Sequence, residues 1–181
     1  IFYRPQKVGS EPKQILESIG IVSGSDIADF GCGVGYFVLE AAKMTGTEGR
    51  VFAIDIDRKI LDALKSKALD SGLRNIYGIQ TDLEKPNSTG LGNDSVDLVL
   101  MINILYMIGK KEEVLKEAYR VLKSGGKLAI MEWSEKGAAS MLDKSEAVSS
   151  KEINEWARKL GFKRLKTFEA SVSHEVVVFL K

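Results

Sequence analysis

Asp29-Phe30-Gly31-Cys32-Gly33-Val34-Gly35 decides the reading of this chain, because the short apolar run from Ile27 passes there directly into alternating glycines. Glycines at such a point let the backbone turn sharply and lie against a ligand, with the N-terminus of the next helix aimed at it. The spacing is informative. A dinucleotide site sets its glycines as G-x-G-x-x-G. Counting from Gly31 puts Tyr36 where the third glycine would stand, and the pattern here is G-x-G-x-G. A glycine loop by itself also serves as a tight structural turn.

Periodic segments extend on both sides of this loop. Upstream, Ser10 or Glu11 followed by Pro12 opens a short helix with Ile15, Leu16 and Ile19 on one face, and Gly20 stops it. Downstream, a helix from about Tyr36 to Met44 leads to a second strand, Val51 to Asp55. Ile60, Leu61, Leu64 and Ala68 give the next helix its buried stripe, with Gly72 as its stop. Ile76 to Ile79 is a weaker strand, and Asn87 to Asn93 is a polar loop. Val96 to Met101 is apolar nearly throughout, as in a strand covered on both faces. Val114, Leu115, Ala118, Val121 and Leu122 mark a helix that Ser124-Gly125-Gly126 breaks ahead of a fifth strand, Lys127 to Trp133. Ser149 and Glu152 form a capping box before Ile153, Trp156, Ala157 and Leu160. Two strands follow, about Phe162 to Phe168 and His174 to Leu180.

Strands alternating with helices give a doubly wound α/β fold with a parallel sheet and right-handed crossovers. Phe168 and His174 stand too close for a helical crossover, so the last two strands pair antiparallel. No repeat, low-complexity tract or linker interrupts residues 1–181, which reads as one domain. Composition is 44% hydrophobic and 28% charged, with a formal charge of +1, so no global field draws nucleic acid or an anionic membrane. The most apolar stretch, Leu98 to Ile108, is about half the length of a membrane span. One cysteine and a start lacking signal-peptide features point to the cytoplasm.

Two acidic strand ends add chemistry to the loop. Asp55 ends the second strand, where a carboxylate can accept both hydroxyl hydrogens of a ribose. Asp57 is the better helix cap of the two aspartates before the next helix. Asp82 in Thr81-Asp82-Leu83 can accept from an adenine amino group while the following backbone N–H donates to the ring.

Together with Ser95-Val96-Asp97-Leu98-Val99 and Glu117 to Leu128, these segments make the chain resemble the class I S-adenosylmethionine-dependent methyltransferases, from about Gln14 onward. The resemblance is nearest to the branch that contains ubiquinone/menaquinone-biosynthesis methyltransferases. It implies a Rossmann-like, seven-stranded, mostly parallel sheet of order 3-2-1-4-5-7-6 with the last strand antiparallel. It implies S-adenosyl-L-methionine as cofactor and S-adenosyl-L-homocysteine as product; no metal site is expected. Gly31, Gly33 and Gly35 would lie against the methionine portion, with Asp29 orienting its amino group. Asp55 would take the ribose, Asp82 and Leu83 the adenine, and Asn103 would face the methionine end.

A sulfonium is already a good electrophile, so the protein must align the acceptor in line with the methyl group, about 3 Å away. A base is needed only where the acceptor loses a proton as it attacks. The only histidine, His174, and Tyr106 are the candidates on the acceptor side, with Glu132 and Trp133 pointing toward the same crevice. Cys32 reads as a small filler of the loop. Arg158, Lys159, Lys163, Arg164 and Lys166 form a basic run that reads as a solvated face, with an RNA or phosphate contact as the alternative. The expected acceptor is a small molecule. RNA or protein is the runner-up, followed by a non-catalytic cofactor-binding protein and a nicotinamide dehydrogenase.

Overall fold

A computed structural model describes residues 6–7, 11–134, 137 and 148–181. Its elements are β1 (Gln6–Lys7), α1 (Pro12–Ile19), β2 (Ile27–Phe30), α2 (Tyr36–Thr45), β3 (Val51–Asp55), α3 (Arg58–Asp70) and β4 (Ile76–Gln80). They continue with β5 (Val96–Ile102), a 3₁₀ turn (Leu105–Met107), α4 (Lys111–Val121), β6 (Leu122–Trp133), α5 (Ser150–Lys159), β7 (Lys163–Glu169) and β8 (His174–Leu180).

Eight strands form one sheet in the order β1-β7-β8-β6-β5-β2-β3-β4. The seven anticipated strands, β2 to β8, stand in the anticipated 3-2-1-4-5-7-6 arrangement. β8 runs antiparallel to both its neighbours, and every other pairing is parallel. The addition is β1, two residues that pair in parallel with Phe168 and Glu169 at the outer edge.

Local signals place the helices. Pro12 opens α1 and Gly20 closes it at φ 85°. Asp57 caps α3 by accepting the Lys59 N–H at 2.8 Å, which leaves Asp55 free of that duty. Ser149 and Glu152 make the reciprocal capping box of α5. One expectation is corrected. Ser124-Gly125-Gly126 does not separate α4 from the next strand: β6 already begins at Leu122, paired with Val96, and the glycines form a bulge before Lys127 pairs with Leu98. The neighbouring strand supplies hydrogen bonds that let a glycine-rich segment stay in the sheet, with Gly125 at φ 76°.

The sheet separates two apolar layers. On one side Ile15, Leu16, Val38, Ala41, Leu61 and Leu64 of α1, α2 and α3 pack on the sheet. On the other, Val114, Leu115, Ala118, Ile153 and Ala157 of α4 and α5 do so. The central strand β5 is buried along nearly its whole length, whereas the edge strand β4 is not, which is why its apolar pattern is weak. All parallel strands therefore present their carboxyl ends to one edge, where ligands of such sheets bind.

Candidate active site

The glycine loop leaves β2 at that edge, and each of its glycines does a different job. Gly31, Gly33 and Gly35 all have left-handed φ values, 75°, 49° and 82°. A Cβ on Gly31 would collide with the Ile104 side chain, and one on Gly35 with Leu64. Those two are small so that neighbours can close in. At Gly33 a Cβ would meet nothing within 4 Å, so this is the loop position with open space above it.

Asp55 ties the loop down. Its Oδ2 accepts the Gly33 N–H at 3.0 Å and its Oδ1 accepts the Asp57 N–H at 3.0 Å. Each oxygen keeps further lone-pair capacity for an outside donor. Asp55→Ala is therefore expected to weaken cofactor binding by at least the ~1.5–3 kcal/mol of hydrogen bonds to a charged group. The loss of the Gly33 tether adds to it. Calorimetry with S-adenosylhomocysteine on a folded variant checks this, and unchanged affinity would remove Asp55 from the site.

Asp29 lies deeper, 2% exposed, and its Oδ1 has no hydrogen-bond partner. Burial, and after it the charge of Asp55, push its carboxyl up to about 7. Cys32 is buried too, and desolvation, followed by the Asp29 and Asp55 charges, pushes its thiol well above the usual range. It acts as filler.

Asp82 folds back on its own turn, with Oδ1 accepting the Glu84 N–H at 3.0 Å, while Leu83 is buried in the core. Asn103 follows β5 with φ 51°, and its Oδ1 is buried and unpartnered. Its Nδ2 lies 3.1 Å from His174 Nε2. Since an amide NH₂ only donates, that ring nitrogen accepts, and the ring proton sits on Nδ1 toward Ser173 Oγ at 3.1 Å and Ser171 Oγ at 3.3 Å. The imidazole packs against Trp133 at a tilt of 36°, ring centres 4.2 Å apart, and burial lowers its pKa. Burial thus disfavours the charged ring of His174, and both its nitrogens are engaged.

The structure brings Asn103, His174 and Trp133 together. Tyr106 sits instead in the 3₁₀ turn, packed against the core layer of α4 and α5. Glu132, expected to point into the same crevice as Trp133, is its neighbour in β6 and lies on the opposite face of the sheet. Its Oε1 accepts the Ile104 and Leu105 N–H groups at 3.0 and 2.7 Å, and its Oε2 is buried without a partner. Burial pushes its carboxyl up to about 7. Among the described residues no group of three His, Cys, Asp or Glu side chains is placed to hold a metal ion. Nor is any helix long and apolar enough to cross a membrane.

Comparison with known proteins agrees with the fold. A family model described as a methyltransferase domain matches residues 21–174. The chain is 30% identical over 131 residues to the ubiquinone/menaquinone biosynthesis C-methyltransferase UbiE of Pseudomonas paraeruginosa, an alignment covering 72% of this chain and 50% of that one. It spans about half the length of the curated relatives it matches. Among solved structures, a SAM-dependent methyltransferase from Aquifex aeolicus superposes with a TM-score of 0.85 at 24% identity, covering 94% of this chain and 89% of that one. The [4+2]-cyclase SpnF superposes with a TM-score of 0.78 at 15% identity, covering 93% and 81%.

Proposed function

The chain belongs to the methyltransferase-domain family, and from that premise we propose that it binds S-adenosylmethionine at the carboxyl edge of its sheet and passes the methyl group to a small-molecule acceptor. The observation that carries this reading is Asp29 Oδ1, a buried carboxylate oxygen with no donor of its own beside the glycine loop. A cationic amino group is the partner such an atom lacks. Asp29 would hold the amino group, Gly33 would lie under the ligand, Asp55 would take the ribose, and Asp82 with Leu83 the adenine. Asn103 Oδ1, a second unpartnered oxygen at this edge, would meet the amino-acid end.

When bound, the cofactor supplies an electrophilic methyl group on a sulfonium. The protein's share is alignment and exclusion of water. His174 and Trp133 would wall the acceptor side as one packed pair, with Asn103 occupying the imidazole lone pair that a base would need. A small acceptor is supported by the formal charge of +1 and by relatives named for ubiquinone and menaquinone biosynthesis. Residence in the cytoplasm belongs to the same reading, supported by the single, buried cysteine.

One observation favours an RNA acceptor as the second reading. Lys151, Arg158, Lys163 and Arg164 line a groove of about 710 Å³ beside α5, and none forms an ion pair among the described residues. Lys166, counted in the same basic run, turns away and donates to the Ser18 carbonyl. It leaves the run one cation shorter than the sequence suggests.

Calorimetric titration with S-adenosylmethionine, S-adenosylhomocysteine and NAD tests the cofactor. Both sulfur compounds are expected to bind and NAD is not, and tighter binding of NAD would sink the assignment. Because a cyclase shares this fold, transfer itself needs a label. Extract fractions incubated with methyl-labelled cofactor should yield a labelled small molecule that survives ribonuclease and protease. Label confined to ribonuclease-sensitive material would move the acceptor to RNA.

A further inference from the structure

The chain leaves β5 at Ile102 and enters Asn103 at φ 51°, a left-handed conformation that Asn tolerates better than most side-chain-bearing residues and that its surroundings hold in place. The constraint comes from the end of β6. Asn103 N–H donates to the Met131 carbonyl at 2.8 Å. The next two amides, Ile104 and Leu105, both donate to a single oxygen of Glu132. Ile104, held in this way, is the side chain that fills the space above Gly31. One carboxylate therefore fixes the segment that touches both the glycine loop and Asn103.

Glu132 is otherwise hard to account for. It is 4% exposed and forms no ion pair among the described residues. Lys111, the cation whose charge is felt at the carboxylate, donates to the Ile108 carbonyl. A buried acid without a paired cation burdens the fold unless its position is needed. An apolar residue would pack there at less cost and would leave two loop amides without an acceptor.

We propose that Glu132 is a positioning residue: by holding the Ile104 and Leu105 amides it sets Asn103 in its left-handed turn and presents the Asn103 carboxamide to the amino-acid end of the bound cofactor. The proposal rests on the cofactor reading above. It makes Glu132 act through Asn103, without touching the nucleoside or the methyl group. The clamp needs an acceptor oxygen and no charge, so Glu132→Gln keeps it and Glu132→Leu removes it.

Two probes separate this role from general support of the fold. S-adenosylhomocysteine and 5′-methylthioadenosine share the nucleoside, and only the first carries the amino-acid end. Wild type should bind both. Glu132→Leu should lose at least roughly tenfold in affinity for S-adenosylhomocysteine while its affinity for methylthioadenosine stays within about twofold, and Glu132→Gln should follow wild type for both. Equal losses for the two probes, no loss for either, or a Gln variant that behaves like Leu would each overturn the clamp. Wild type that bound neither probe would overturn the cofactor reading and the clamp with it. Hydrogen exchange on wild type gives a second measure that needs no folded variant. The Ile104 and Leu105 amides should gain protection with S-adenosylhomocysteine and not with methylthioadenosine, and equal protection by both would count against the proposal.

Discussion

Asp29→Asn is expected to raise stability at pH 8 and, in the same variant, to weaken S-adenosylhomocysteine binding by roughly 10- to 150-fold. The two effects have one origin. Burial lifts the Asp29 carboxyl to about 7 in the folded protein, whereas an unfolded aspartate titrates near ~3.9. Between those values the folded state holds a proton that the unfolded state has released, so stability falls as pH rises from about 4 to 7 and stays lowered above it. Each unit of the difference is worth about 1.4 kcal/mol, and Asn, which never ionises, escapes the penalty. Little should change at pH 4. Binding responds in the opposite sense, because a carboxylate facing an ammonium group contributes about 1.5–3 kcal/mol that the amide cannot match. Thermal melts at pH 4 and 8, with calorimetry at pH 8, measure both. A variant less stable than wild type at pH 8, or one with full affinity, would contradict the role given to Asp29 Oδ1. In wild type the same linkage makes ligand binding near pH 6 release protons, which appears as a buffer-dependent binding enthalpy. Glu132, also lifted to about 7, steepens the fall of stability across the same range.

Gly33→Val should abolish cofactor binding, by more than about 100-fold, with most of the fold retained. Beyond its two chain neighbours, nothing stands within 4 Å of a Cβ at that position, so the side chain would project into space that the ligand needs. Overpacking of a filled site costs about 1–3 kcal/mol, and a branched residue held at φ 49° adds backbone strain. Gly31→Ala and Gly35→Ala are the informative contrasts. Their Cβ atoms run into Ile104 and Leu64, so they should lower the melting temperature before they alter affinity. Retained affinity in Gly33→Val would place the ligand elsewhere.

The sheet was legible because its signals are local or countable. Helix stops such as Gly20, the capping pair Ser149 and Glu152, and the short gap between Phe168 and His174 each carry their meaning within a few residues. Asp57 as cap and Asp55 as the free strand end were separable for the same reason. What the sequence hid depends on partners far away in the chain. Gly31 and Gly35 look alike with Gly33 until Ile104 and Leu64 close over two of them. Leu122 belongs to a strand only because Val96 pairs with it, and the two residues of β1 count only against Phe168 and Glu169. His174 sits at the expected edge, yet the engagement of both its nitrogens follows from Asn103, Ser171 and Ser173. Glu132 is ordinary in sequence and becomes notable once its burial and its two loop amides are seen.

The placement of β8 has a consequence for biosynthesis. It lies between β6 and β7, both of which are made before it, and it satisfies the facing edges of both. A nascent chain that has emerged only as far as Glu169 carries two raw strand edges, one apolar enough in Leu128 to Met131 to invite pairing with another chain. The sheet cannot be zipped shut progressively behind the ribosome. β7 can join the sheet beside β6 only through β8, for example as a β7–β8 hairpin that docks onto β6. Premature arrest of synthesis inside residues 174–180 would thus leave the edges of both β6 and β7 unpaired.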